Sequence, residues 1–218
     1  MLRPHHLHWP PVRLFHWQMK SLSSAHTTFL VRQNGLLELT IAHDLVRGVT
    51  PAMLSWWFLH IDGVMTYQGH SYPRYLVWHP SDHILYQNSM LAPDGTAGVG
   101  SRRRIVEAFG RNAAYVVDSI EEVRKLDETG ILLQKRIGGV EIFSLEHHFG
   151  SRPLGTRYTS RMVVGTTIPI ASPIFNALVR PWLFSNDMGQ AWLQHNVEEV
   201  GNFEYFLPNL YAQCVEHN

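Results

Sequence analysis

The chain lacks most of the features that would sort it at a glance. Among its 218 residues there is one cysteine, Cys214, so no disulfide can form within the chain. A single late cysteine suits a reducing compartment, and a cytoplasmic location is the expectation. No run of 18 or more apolar residues occurs, so no membrane-spanning helix is expected. The opening MLRPHHLHWPPVRLFHWQMK carries early charge, but prolines and histidines interrupt any apolar stretch, which argues against a signal peptide. Net charge is missing too: the formal value is zero and the pI about 7.3. Without a basic tract the electrostatic footprint of a nucleic-acid binder is absent. The short run Arg102–Arg103–Arg104 reads as a solvated strand edge or loop. Several catalytic motifs are also absent. There is no Gly-x-Ser-x-Gly elbow, no dinucleotide fingerprint and no His-Glu-x-x-His, and the glycine-rich stretch 92–101 lacks the Gly-Lys-Ser/Thr ending of a phosphate-binding loop.

What is present is histidine, 14 in all. It is the usual acid or base near neutral pH and the commonest metal ligand, so the question is which of them converge. With 45% hydrophobic residues the chain can bury one sizeable core, and no linker or repeat divides it. Residues 1–25 show no periodicity, and Pro4, Pro10 and Pro11 make them an irregular arm in which His5, His6 and His8 form a mobile tail. Residues 26–218 are expected to form one domain.

Two strand-like runs, TTFLVRQ and LLELTIAHD, flank Asn34–Gly35, a hairpin signal because both turn positions favour positive φ. Thr50–Pro51 opens a helix, with threonine as cap and proline in the first turn. Trp56, Trp57 and Phe58 on that helix suit a core, and a homodimer interface is the other use for them. A loop feeding a strand follows over YPRYLVWHPSDHILYQNSM. RRIVEAFG, AYVVDSI, GILLQKRI, VEIFSLEHHFG and RYTSRMVVGTTI then read as strands joined by short turns, which argues for a curved antiparallel sheet. From about Ile174 to Tyr211 the pattern is helical, with breaks expected at Pro181 and Gly189 and the longest continuous stretch at 189–207.

His195 and Glu199 are four apart on that helix and share a face. So placed, they can chelate one divalent ion, Zn²⁺ by preference and Mn²⁺ or Fe²⁺ as alternatives. Glu198 points about 100° away and should miss that ion. His79, Asp82 and His83 supply two more imidazoles and a carboxylate. Glu107 sits in the apolar run 105–109, either solvated or buried and paired. In Glu146–His147–His148, alternation sends the two imidazoles to opposite sheet faces, so one of them at most enters a cavity.

Taken in order, Thr50–Phe58 (TPAMLSWWF), Tyr75–His83 (YLVWHPSDH) and His195–Phe203 (HNVEEVGNF) resemble the 2,4-diacetylphloroglucinol hydrolase family, and phloretin hydrolase is similar to that family too. The resemblance runs from about residue 35 to 212. It implies an α+β, Bet v 1-like helix-grip fold, in which a curved antiparallel sheet wraps a long C-terminal helix around a cavity. It also implies a zinc ion held by His83, Glu107, His195 and Glu199, with His79 as the alternative to His83. Tyr75 and Tyr158 correspond to contacts with the substrate phenol, and His148 is expected as a polar partner and proton shuttle. The implied reaction is retro-Claisen-type hydrolysis of the carbon–carbon bond between an acyl group and a phenolic ring, with a small acyl-phenol as substrate. A non-enzymatic carrier of aromatic polyketide-like ligands and a polyketide cyclase are the competing readings.

Overall fold

The computed structural model of the chain describes residues 8–169 and 172–215. His5 and His6 lie outside the described residues, and His8 is exposed. The hairpin forms as expected: β1 (His26–Val31) and β2 (Leu37–Ala42) pair antiparallel across a turn in which Gly35 takes φ 78°. A short β3 (Val46–Arg47) follows. Helix α1 (Pro51–His60) starts where Thr50 accepts a hydrogen bond from the Met53 amide, a cap worth about 1 kcal/mol. After a small hairpin, β4 (Val64–Tyr67) and β5 (His70–Pro73), comes a short helix α2 (Arg74–Trp78). A loop was expected there. Aromatic and branched residues lower helix propensity, and the five-residue turn forms because Tyr75, Val77 and Trp78 bury their side chains.

Strands β6 (His83–Met90), β7 (Arg102–Ala108), β8 (Val116–Asp127), β9 (Gly130–Ile137), β10 (Val140–Arg152) and β11 (Gly155–Val164) complete the sheet. Its order is β1-β2-β11-β10-β9-β8-β7-β6, every pair antiparallel, with β3 beside β11. The connection to the last helix is a π-helical turn, Phe175–Val179, between α3 (Ser172–Ile174) and α4 (Arg180–Leu183). Helix α5 (Asn186–Val215) then runs for 30 residues along the inner face of the sheet.

The expected breaks at Pro181 and Gly189 do not occur. Pro181 sits in the first turn of α4, where its missing N–H leaves no bond unmade. Gly189 lies inside α5 because the Phe29 ring packs against it. A Cβ there would come within 2.9 Å of that ring. The chain turns instead at Phe184–Ser185.

The core joins α1, α2, α5 and the sheet. Trp57 meets Trp78 and Phe203 edge-on, each at 5.8 Å between ring centroids. Trp57 and Phe58 are therefore core residues and are not available to line an interface between copies. Among its described residues, the N-terminal segment carries no regular element before residue 22, yet it is built in. Phe15 is buried, and Trp17 donates to the Tyr67 hydroxyl at 2.8 Å. Together these elements form an α+β helix-grip fold: one curved antiparallel sheet, one long C-terminal helix, and a cavity of about 340 Å³ between them.

Candidate metal centre

Two elements bring the site together. In the β6–β7 pair, His83 stands directly opposite Glu107. One turn of α5 presents His195 and Glu199 to the same point. His83 Nε2 is 3.3 Å from Glu199 Oε2 and 3.9 Å from Glu107 Oε1, while His195 Nε2 is 3.4 Å from Glu107 Oε2 and 3.7 Å from Glu199 Oε2. All four sequence-derived candidates thus converge.

The imidazoles are aimed by their other nitrogens. His83 Nδ1 donates to the Tyr75 carbonyl at 2.7 Å, and His195 Nδ1 donates to Asp82 at 3.0 Å. Both Nε2 atoms are then left buried with no hydrogen-bond partner. Buried polar nitrogens are rarely orphaned, and here two of them face two carboxylates. This donor set fits a small divalent ion. A tetrahedron with bonds of about 2.0–2.1 Å has edges of about 3.3 Å, close to the spacings above. His83, Glu107 and His195 form one group among the described residues that could hold a metal ion, and His79, Asp82 and His195 form another. In the second group the donors are already engaged. His79 Nδ1 accepts from the Asp82 amide at 3.2 Å, which leaves Nε2–H to donate to Glu198 at 3.0 Å. The alternative to His83 is therefore occupied with positioning, and Glu198 points away from the ion site.

Asp82, read from the sequence as a candidate carboxylate beside His79 and His83, instead organises the centre. Besides His195 it accepts from the amides of Gly110 and Arg111 at 2.8 and 3.1 Å, and from Ser81 at 2.9 Å. Gly110, at φ 59°, lets the chain curl back around the carboxylate. Burial alone would raise the Asp82 carboxyl, but the hydrogen bond from His195 and the charge of His79 hold it well below the usual range. The arm contributes Arg13, whose guanidinium donates to the Leu76 and His79 carbonyls at 3.1 and 3.0 Å and so braces the loop before His83.

With no ion, the charges fit poorly. Burial would lower His195, but Asp82, Glu107 and Glu199 outweigh it and push it up to about 9. Burial pushes Glu199 up to about 8, with Glu107 adding to the effect and His195 opposing it. Burial, then His195 and His79, hold His83 well below its ordinary value, so it stays neutral. A divalent cation resolves this arrangement by replacing protons with metal charge.

Around the centre, Tyr75 donates to Glu107 Oε1 at 2.6 Å and its ring stacks on His83 at 3.8 Å. Tyr158 is wholly buried beside His147, and its hydroxyl has no partner. His148 does not enter the cavity. It is exposed on the outer sheet face and pairs with Glu146 at 3.1 Å. The imidazole that lines the cavity is His147. It is linked to Ser160 at 2.9 Å, and Ser160 to His43 at 2.8 Å. Burial holds both His43 and His147 down at about 3, so each is neutral near pH 7 and can act as donor and acceptor. Arg103 also departs from expectation. It is 1% exposed and lines the cavity. Strand alternation with Ile105 and Glu107 was the signal that could have placed it there.

Residues 22–212 match the family model of the DAPG hydrolase PhiG domain. The chain belongs to the DAPG hydrolase family. For this DAPG hydrolase family member, no curated protein matches in sequence. Among solved structures it is similar to that of Ara h 8.0201, at 12% identity and a TM-score of 0.47, covering 84% of this chain and 97% of that one. It is also similar to protein Ms6760 from Mycobacterium smegmatis, at 9% identity and a TM-score of 0.45, covering 87% and 98%. The helix-grip description rests on this chain's own strand order and helix. No helix among the described residues is long and apolar enough to cross a membrane.

Proposed function

We propose that this chain is a zinc-dependent hydrolase that cleaves the carbon–carbon bond between an acyl group and a phloroglucinol-type phenolic ring. The observation that carries this reading is the pair of buried, unpartnered Nε2 atoms of His83 and His195, facing Glu107 and Glu199 at the wall of the cavity. Membership of a hydrolase family that acts on such phenols supports it.

His83, Glu107, His195 and Glu199 would hold the ion. What the ion supplies is Lewis acidity, which polarises a carbonyl and brings the pKa of water to about 7. The rest falls to the chain's own side chains. The overall change adds water across one bond: the acyl carbon gains hydroxyl, the ring carbon gains a proton, and the bond between them breaks. Tyr158, expected as a contact for the substrate phenol, is not among the residues lining the cavity; it packs behind His147 with its buried hydroxyl unpartnered. Tyr75 keeps Glu107 oriented. His147 faces the cavity and is the group placed to deliver the proton to the ring carbon, with Ser160 and His43 behind it fixing its tautomer. The aromatic and aliphatic walls, Phe58, Leu145 and Phe184 among them, exclude bulk water.

The test uses the purified chain: measure bound metal, then follow acid release from an acylphloroglucinol. Turnover that needs the metal supports the reading. Chelator-insensitive turnover of a polyketide substrate would point to a cyclase, and tight binding of aromatic ligands with neither metal nor turnover would point to a carrier.

A further inference from the structure

Behind one wall of the cavity, polar side chains form a line. His147 on β10 and Ser160 on β11 stand directly opposite each other in the strand register. His43, just past β2, is held to β11 by its amide, which donates to the Tyr158 carbonyl at 3.1 Å. Two imidazoles therefore share one hydroxyl: Ser160 Oγ is 2.9 Å from His147 Nδ1 and 2.8 Å from His43 Nε2. The Tyr158 ring packs against both, at 5.2 and 5.3 Å between centroids.

The ends of this line open on different spaces. His147 is buried and lines the cavity. His43 is half-buried and lines a separate surface groove with Leu45, Arg152, Leu154 and Arg157. Fixing the tautomer of His147 needs only one hydrogen-bonding group behind it. Two imidazoles joined by a hydroxyl do more, because each member can accept a proton on one side and give one up on the other. The chemistry of His147 makes the same demand. Burial keeps it neutral near pH 7. A neutral imidazole is a very weak acid at Nε2 unless Nδ1 takes up a proton as Nε2 gives one away.

We propose that Ser160 and His43 are positioning residues of a proton relay, which connects His147 in the cavity to solvent at the surface groove. The inference rests on the hydrolase reading above and deepens it. As the His147 Nε2–H bond breaks and the ring C–H bond forms, His147 Nδ1 takes the Ser160 hydroxyl proton. Ser160 takes the His43 Nε2 proton, and His43 Nδ1 takes one from solvent. The chain is reset when a proton of the attacking water enters at His147 Nε2 and another leaves His43 for solvent. Over one turnover the relay returns to its starting state, and water is the only co-reactant.

The experiment compares the zinc-loaded full chain with Ser160→Ala and His43→Gln, using single-turnover cleavage of an acylphloroglucinol. Glutamine can donate to Ser160 from the place of His43 Nε2, so it keeps the hydrogen bond, but its amide does not pass a proton through. The relay predicts that each variant lowers the rate constant at least about 10-fold with substrate affinity unchanged. It also predicts that the unaltered chain's rate bows below a straight line as D2O replaces H2O, because several protons move together, and that the line is straight in His43→Gln. An unaltered rate in His43→Gln leaves tautomer fixing alone and overturns the relay. A straight or deuterium-insensitive line in the unaltered chain overturns it too. If no acylphloroglucinol is cleaved, the reaction reading fails separately, and nitrogen NMR of ¹⁵N-histidine in the unaltered chain decides the relay without turnover or variants. The two rings are assigned through their contacts with Tyr158. A continuous relay requires one imidazole to donate to Ser160 and the other to accept from it. Protons on both His147 Nδ1 and His43 Nε2 would break the chain and overturn the proposal.

Discussion

The two ends of the cavity handle buried charge in opposite ways. At the α5 end, donors are oriented from behind. Asp82 holds His195, the Tyr75 carbonyl holds His83, and the Tyr75 hydroxyl holds Glu107, so the free ligand atoms converge to spacings of 3.3–3.9 Å. At the β7–β8 end, Arg103 and Glu121 share a register position but make no ion pair, and the charges stand apart around open space. Convergent ligand atoms suit a single small ion. The charges at the other end are dispersed and converge on no single point.

The largest effect is expected where convergence is broken. His195→Ala and Glu199→Ala each leave three of the four proposed ligands, and both bound metal and acid release should fall to background by metal analysis and turnover assay. Next comes the pair of adjacent histidines. His147→Gln removes the imidazole that lines the cavity, and kcat should drop by roughly 10²–10⁴-fold, the usual range for a general acid. His148→Gln changes only the outer face and should leave kcat within about twofold. Equal losses in the two variants would undo the assignment. Asp82→Asn keeps the ligands but weakens the group that aims His195. Metal affinity, measured by competition with a chelator, should fall about 10–100-fold.

The far end predicts a smaller effect, read as stability. Burial, with the charge of Glu107 adding to it, raises Glu121 from its ordinary value to about 7. The folded state therefore holds this proton to a higher pH than the unfolded chain does. The metal-free protein should lose stability as pH rises from about 4.5 to about 7, by on the order of 3 kcal/mol, and show no further loss from this group above that. Urea titrations across that window should show a flatter slope in Glu121→Gln. An unchanged slope would mean that the carboxyl is not held protonated.

The two ends also differ in how far they could be read from the sequence. Helical spacing puts His195 and Glu199 on one face, a pattern common on helix surfaces, and it was the resemblance of the ordered segments that marked the pair as ligands. The pairing of His83 with Glu107 was not legible from spacing, because it depends on the register across a connection, residues 91–101, whose length fixes nothing by itself. The resemblance named the pair, and the β6–β7 register places the two side by side. The choice between His147 and His148 turned on strand phase. Alternation assigned them to opposite faces, but a register shift between Glu141 and Phe143 interrupts the count from the strand's start. Asp82 was visible only as a carboxylate between His79 and His83, since its role comes from a turn folding back over it. Arg103 was misread because a run of three arginines looks solvated, although alternation with Glu107 placed it on the inner face. Gly189 was misread for a related reason: propensity marks glycine as a helix breaker, while contact with Phe29 makes it the residue that fits.

The account depends most on one quantity, the metal content of the purified chain together with its activity. One ion per chain is expected, removed by a chelator along with acid release from an acylphloroglucinol and restored with it on adding Zn²⁺. Full turnover by chain stripped of metal would contradict the account.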